Sequence, residues 1–129
     1  MIEDRNIDAL KTFHHFTSGT KNHLTDEVNN IAPDIHDYII NFVFGDIYSR
    51  DGLSDKEKTI VTIITLMAMG GCEYELETHI NTAINIDIEP KKIIDSLIQG
   101  LPYAGFPRVI NAVKVAQRVF SERGVGLAY

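Results

Sequence analysis

The side chains with the clearest potential for chemistry are Glu75 and His79, near the middle of the chain. They are four residues apart, so on a helix both lie on the same face. A carboxylate beside an imidazole fixes the imidazole tautomer and raises its basicity, which prepares the pair for proton transfer. An ordinary ion pair on a helix surface has the same spacing and is the more common case. A metal site would need further ligands that the spacing does not supply, so no metal is predicted.

Cys72 and Arg50 are the other two candidates. Cys72 follows two glycines at a predicted helix start, where the positive end of the helix dipole favours a reactive thiolate. The alternative is an inert buried thiol, since free cysteines are often interior. Arg50 lies in the break that precedes the best-marked helix of the chain. There it either binds an anion or simply faces water.

The elements that position these residues are predicted to be helices, because the intervals between prolines and glycines show helical periodicity. Ser54 and Glu57 form a capping box that begins a helix over residues 55–69. This helix is apolar nearly all round, so it is either the central helix of the core or covered by another subunit. Gly70-Gly71 ends it, and a helix over residues 73–86 carries the carboxylate and imidazole.

The rest of the chain is predicted to be helical as well, with no sheet. Further helices are expected at 4–17, 35–48, 91–101 and 108–123, and a short one within the looser stretch 21–32. Ser18-Gly19 ends the first helix, and Pro33 and Pro90 suit first-turn positions. The sequence therefore predicts a single all-α domain of about six helices.

Composition limits the classes of function. A chain of 129 residues, 44% hydrophobic and 23% charged, is long enough for one domain with a buried core. A net charge of −6 without a Lys/Arg cluster argues against nucleic acid as a partner. The longest apolar run, 60–71, is too short to span a bilayer, and the N-terminus shows no secretion signal. A single cysteine fits a reducing compartment, so we expect a cytoplasmic protein without a membrane partner.

Four stretches of the sequence together resemble the carboxymuconolactone decarboxylase family. They are Gly45-Asp-Ile-Tyr-Ser-Arg50-Asp-Gly-Leu53-Ser54, Lys58-Thr-Ile-Val-Thr-Ile-Ile-Thr-Leu66, Glu75-Leu76-x-x-His79-x-x-x-Ala83 and Tyr103-Ala-Gly-x-Pro107. The resemblance implies an alkylhydroperoxidase-D-like helical bundle over residues 33–123 that assembles as homo-oligomers, either trimers or hexamers. Residues 1–32 would then form an N-terminal helical extension, and residues 124–129 a tail that is loose unless it docks on a neighbour.

The resemblance also implies a reaction and roles for individual residues. The enzyme would be a lyase that removes carbon dioxide from a small carboxylated lactone without a metal or an organic cofactor. His79, oriented by Glu75, would deliver a proton to the carbon that loses the carboxylate. Arg50 would hold the anionic substrate. Tyr103 and Phe106 would form an apolar wall that disfavours the charged carboxylate relative to the transition state.

Two alternatives come from the same comparison of motifs. Alkyl hydroperoxide reductase D proteins of this superfamily carry Cys-x-x-Cys-x-x-x-His, and here Cys72 takes the first cysteine position while Glu75 replaces the second. A hydroperoxidase of the peroxiredoxin type would therefore need an external thiol. The other alternative is a non-catalytic oligomeric module that binds a small apolar acid. Further departures from relatives are Lys58, often arginine, and Gln99, histidine in some, together with Asp87 and Glu89 in place of the usual glycine and Ser/Thr before Pro90.

Overall fold

A computed structural model describes residues 2–17 and 23–126, in which helices are joined by turns and no strand occurs. This confirms the prediction of an all-α protein. The α-helices are α1 (Ile2–Thr17), α2 (His23–Ile31), α3 (Pro33–Tyr38), α4 (Asp55–Met69), α5 (Glu73–Asn85), α6 (Pro90–Gln99), α7 (Leu101–Ala104) and α8 (Phe106–Arg123). The predicted stop at Ser18-Gly19 and the last three residues of the predicted tail lie outside the described residues.

The prediction of about six helices was too low for two reasons. The single helix expected over residues 35–48 is divided into α3 and a π-helical segment, Ile39–Ile47. At the end of that segment the Tyr48 N–H donates to the Val43 carbonyl, five residues earlier, at 2.8 Å. In addition, the turn-rich joint before α8 forms the short helix α7.

The start of α4 is as the sequence predicts. The Ser54 N–H donates to Oε1 of Glu57 at 2.9 Å, and the Glu57 N–H donates to Oγ of Ser54 at 3.1 Å. Both bonds satisfy amides that the first helical turn leaves without backbone partners. The capping box therefore fixes where α4 begins.

The main core lies where α4, α5 and α6 pack against α8. Its buried side chains recur at helical spacing and include Ile63, Met67, Leu76, Ile80, Ile93, Leu97, Val115 and Val119. Within α4, however, only one face is enclosed: Ile63 is fully buried, whereas Val61 is 54% exposed. One chain thus leaves part of this apolar helix uncovered, and its cover by another subunit stays a prediction.

A second, smaller core joins α1 to the π-helical segment. Phe16 meets Tyr48 edge-on with ring centroids 4.9 Å apart, and Tyr48 stacks on Phe44 at 5.0 Å. The two elements approach closely because Gly45 has no side chain; a Cβ there would lie 2.9 Å from Cβ of Ala9. The predicted N-terminal extension is thus packed against the region that follows it. No helix in the described ranges is long and apolar enough to cross a membrane.

Candidate active site

A cleft of about 420 Å³ lies where the end of the π-helical segment, the following turn and α4 meet. Two cationic side chains and several apolar ones line it, and none of the described lining residues carries a carboxylate. The lining residues are Ile47, Tyr48, Arg50, Gly52, Leu53, Lys58, Val61 and Thr62. Positive charge beside an apolar wall suits a small organic anion.

Arg50 and Lys58 enter this cleft in different ways. Arg50 is exposed on the turn after the π-helical segment. Lys58 lies in the first turns of α4, and its side chain is only 13% exposed. Its ammonium donates to the Tyr48 carbonyl oxygen at 2.7 Å and stands 4.0 Å from Oδ1 of Asp55. Tyr48 lies at the carboxyl end of the π-helical segment, where the last carbonyl groups carry partial negative charge. The Lys58 ammonium therefore interacts favourably with that end.

Tyr48 and Thr62 form a hydroxyl pair on the cleft wall. Their oxygens are 2.6 Å apart, and the Thr62 hydroxyl also donates to the Lys58 carbonyl oxygen at 3.0 Å. Because a threonine hydroxyl has one hydrogen, Tyr48 is the donor within the pair. Burial raises the pKa of Tyr48. The cleft therefore presents a neutral phenol beside its two cations.

His79 lies on α5, which packs against α4. Its Nδ1 atom is buried and has no hydrogen-bond partner in the described part of the chain, although the residue as a whole keeps some exposure. Burial lowers the pKa of His79 to about 4, because the imidazolium would lose its hydration. The imidazole is therefore neutral near pH 7.

The half-buried Glu75 makes no hydrogen bond with Nδ1 of His79. Helical spacing places the two side chains on one face, as predicted, but it does not require their polar atoms to meet. In the described part of the chain, therefore, Glu75 does not orient His79 through a hydrogen bond to Nδ1.

The predicted apolar wall lies elsewhere. Tyr103 is 90% exposed and Phe106 is 68% exposed. Tyr103 borders a separate open groove of about 600 Å³, together with Ile60 and Ile64 of α4. Those α4 residues lie on a different flank from Val61 and Thr62, which line the cationic cleft. His79 and Phe106 line neither of these two cavities, so neither cavity brings the five predicted site residues together.

Cys72 occupies the N-cap position of α5 and is half-buried. Its thiol donates to the Gly70 carbonyl oxygen at 3.5 Å. Gly70 and Gly71 both have φ of +71°, a region that favours glycine, and this allows the sharp turn from α4 into α5. Among the described residues, no three His, Cys, Asp or Glu side chains are grouped as metal ligands.

Sequence reasoning treated Lys58 only as a departure from relatives and did not single out Tyr48 or Thr62. Their participation depends on the contacts of Tyr48, which follows the π-helical segment, with Lys58 and Thr62 of α4, and no local pattern reports these contacts. One signal was available, since Lys58 is the last charged residue of α4 before its apolar run, 60–71.

The comparisons with known proteins agree with the fold and the motifs. The sequence model of the carboxymuconolactone decarboxylase family matches residues 33–118. The 4-carboxymuconolactone decarboxylase of Acinetobacter baylyi (strain ATCC 33305 / BD413 / ADP1) is 29% identical over 104 residues, covering 81% of this chain and 77% of that protein. An uncharacterized 15.0 kDa protein of Paracoccus denitrificans is 24% identical over 96 residues, covering 74% and 72%. Since the family match covers more than half of the chain, this protein belongs to the carboxymuconolactone decarboxylase family.

Proposed function

We propose that this protein is a carboxy-lyase that removes carbon dioxide from a small carboxylated lactone. The observation that supports this best is the cleft that combines Arg50 and Lys58 with apolar walls. The family, and the activity for which the Acinetobacter baylyi relative is named, agree with that chemistry. The proposed location is the cytoplasm, because a single cysteine fits a reducing compartment.

The proposed reaction is simple in its balance of atoms and charge. The carbon–carbon bond to the carboxylate breaks, carbon dioxide leaves, and the bonding electron pair stays in the lactone ring. One proton then joins a ring carbon. The reaction needs no oxidant or reductant, and in this proposal the protein supplies charge, an apolar surface and a proton without a metal or an organic cofactor.

Arg50 is proposed to bind the anionic substrate at the mouth of the cleft. Ile47, Leu53 and Val61 provide apolar surface beside it. An apolar surface stabilises a localised carboxylate poorly, whereas the transition state spreads its charge into the ring and into the departing carbon dioxide. The cleft would therefore favour the transition state over the bound substrate.

His79 is proposed as the proton-transfer residue. In the free chain its imidazole is neutral and its Nδ1 atom lacks a partner. Since His79 lines neither cavity of the free chain, this role requires that the complex bring the substrate to it. A substrate carboxylate there would favour the imidazolium, so the residue would take up a proton as substrate binds and then deliver it. Glu75 is proposed to contact the imidazole ring of His79 only when the substrate is bound.

We also propose that the chain works as a homo-oligomer, either a trimer or a hexamer. Exposed apolar side chains on α4 and around α7, among them Val61, Tyr103 and Phe106, would lie at subunit contacts. In that arrangement Tyr103 and Phe106 of one subunit would supply the apolar wall next to the cleft of another. The neighbour would thus add to the apolar surface that Ile47, Leu53 and Val61 already provide.

Turnover of 4-carboxymuconolactone, followed by ultraviolet absorbance and carbon dioxide release, tests the proposal. Arg50→Ala should lower kcat/KM by about tenfold or more, since a charge-assisted contact contributes roughly 1.5–3 kcal/mol. Lys56→Ala removes the same charge from an exposed position on α4 and serves as the matched control. The proposal fails if wild-type protein does not release carbon dioxide, or if the two variants behave alike.

A further inference from the structure

The last turn of α1 contacts two of the groups next to the Lys58 ammonium. On one side, Nε2 of His15 lies 2.8 Å from Oδ2 of Asp55, whose other carboxylate oxygen stands 4.0 Å from Nζ of Lys58. On the other side, the ring of Phe16 packs edge-on against Tyr48, whose carbonyl oxygen accepts a hydrogen bond from that ammonium at 2.7 Å. Two adjacent residues of one helix therefore contact both of these neighbours of Lys58.

The contact with His15 affects the charge of the cleft. The Asp55 carboxylate is within hydrogen-bond distance of His15, whereas its 4.0 Å separation from the Lys58 ammonium is beyond that range. A carboxylate that moved onto the ammonium would offset much of its attraction for an anion from solvent. His15 thus holds a competing carboxylate away from one of the two cations of the cleft.

Phe16 is held firmly enough to fix the position of Tyr48. Its side chain is 1% exposed, and its carbonyl oxygen accepts from Nδ2 of Asn85 at 3.1 Å, at the end of α5. Oδ1 of Asn85 accepts in turn from Nη2 of Arg123 at 2.8 Å, at the end of α8. These hydrogen bonds join the end of α1 to two helices of the main core, so the Tyr48 ring packs against a fixed surface.

We propose that His15 and Phe16 are positioning residues that keep the Lys58 ammonium available to the anionic substrate. This inference rests on the proposed function in taking the cleft as the substrate site. It goes further because α1 ends at Thr17, whereas the family model matches only from residue 33. A helix outside the family-matched segment is thereby given a part in substrate affinity.

Matched variants of two neighbouring histidines test the role of His15. His14 and His15 are both exposed on α1, and the hydrogen bond to Asp55 is made by His15. Isothermal titration calorimetry of the full chain with adipate, at pH 7.5 and constant ionic strength, should show about threefold weaker binding by His15→Ala, because Asp55 is then free to pair with Lys58. His14→Ala should bind adipate as wild type does. With 4-carboxymuconolactone, His15→Ala should raise KM by a similar factor and leave kcat within twofold.

Labelling of lysines without any ligand tests the role of Phe16. In wild type, reductive methylation followed by peptide mass spectrometry should be slower at Lys58, which is 13% exposed and hydrogen-bonded, than at the exposed Lys56. Phe16→Leu removes the edge-on ring contact with Tyr48. The rate at Lys58 should then rise about threefold or more, and the rate at Lys56 should stay the same. Phe42→Leu, at an exposed position of the π-helical segment, is the matched control and should change neither rate.

The two measurements separate failure of this inference from failure of the proposed function. Wild-type protein that binds no adipate would contradict the cleft as the substrate site, and the labelling of Lys58 would still test the positioning by α1. His15 is exposed, so its variant keeps the inference testable if Phe16→Leu fails to fold. Where adipate binds, equal affinities of His14→Ala and His15→Ala would overturn the inference. Unchanged labelling of Lys58 in folded Phe16→Leu would overturn it as well.

Discussion

The cationic cleft beside α4 and the surroundings of His79 on α5 have opposite electrostatic properties. Arg50 and Lys58 are basic side chains that line an open cleft, where an anion from solvent can reach them. On α5, burial leaves the imidazole of His79 neutral and one ring nitrogen without a partner. We propose that the two regions have different roles. The cations of the cleft attract the substrate, whereas the neutral imidazole of His79 becomes charged only when the substrate binds.

The largest expected effect comes from removing the imidazole. His79→Gln keeps a polar side chain but cannot transfer a proton, so turnover of 4-carboxymuconolactone should fall by about 100-fold or more. Steady-state kinetics at pH 7 measure it, with circular dichroism to confirm an unchanged helix content. Full activity in this variant would assign proton transfer to a group other than His79.

The same variant sharpens the comparison through the pH dependence of stability. The pKa of His79 is lowered from 6.5 to about 4, so folding favours the neutral form. This stability is present above pH 6.5 and is lost as pH falls towards 4, because the unfolded chain then binds the proton more readily. Between pH 7 and 4.5, wild type should lose roughly 2–3 kcal/mol more than His79→Gln in urea unfolding. Parallel losses in both proteins would contradict the buried neutral imidazole.

On the cleft side, the Tyr48–Thr62 hydrogen bond should contribute less. Tyr48→Phe keeps the aromatic packing against Phe16 and Phe44 but removes the donor to Thr62. We expect a loss of about 1 kcal/mol in the free energy of unfolding, measured by urea denaturation. Tyr38→Phe, at an exposed position, is the matched control and should change little. Equal effects from the two substitutions would show that the Tyr48–Thr62 hydrogen bond does not stabilise the cleft.

The smallest effect is expected at Cys72. Its thiol lies between the two regions in sequence but donates only a weak hydrogen bond to the Gly70 carbonyl. Cys72→Ser keeps a donor there, so decarboxylase turnover should stay within about twofold of wild type, since no step of the proposed reaction uses the thiol. Loss of a thiol-dependent peroxidase activity in this variant would instead support the hydroperoxidase alternative.

The features that the sequence predicted well are those set by near neighbours in the chain. The capping box at Ser54 and Glu57 depends on residues three apart, and the glycine turn before α5 depends on two adjacent glycines. Helical periodicity likewise predicted α5, which carries His79, within one residue of its observed bounds. Local rules suffice for such elements because their hydrogen bonds close within one or two turns.

The features that the sequence did not predict depend on contacts between distant residues. A π-helical turn has nearly the same pattern of apolar residues as an α-helix, so the segment Ile39–Ile47 gave no separate signal. The burial of Lys58 depends on the Tyr48 carbonyl, ten residues away. The exposure of Tyr103 is likewise a property of how α7 sits on the surface, and motif order alone does not report it.

A crystal structure of the protein soaked with a small non-reacting carboxylate, such as adipate, tests the central claim most directly. The account predicts a ligand in the cleft, with a carboxylate within hydrogen-bond distance of Arg50. Ligand bound in the groove beside Tyr103, with the cationic cleft empty, would contradict it.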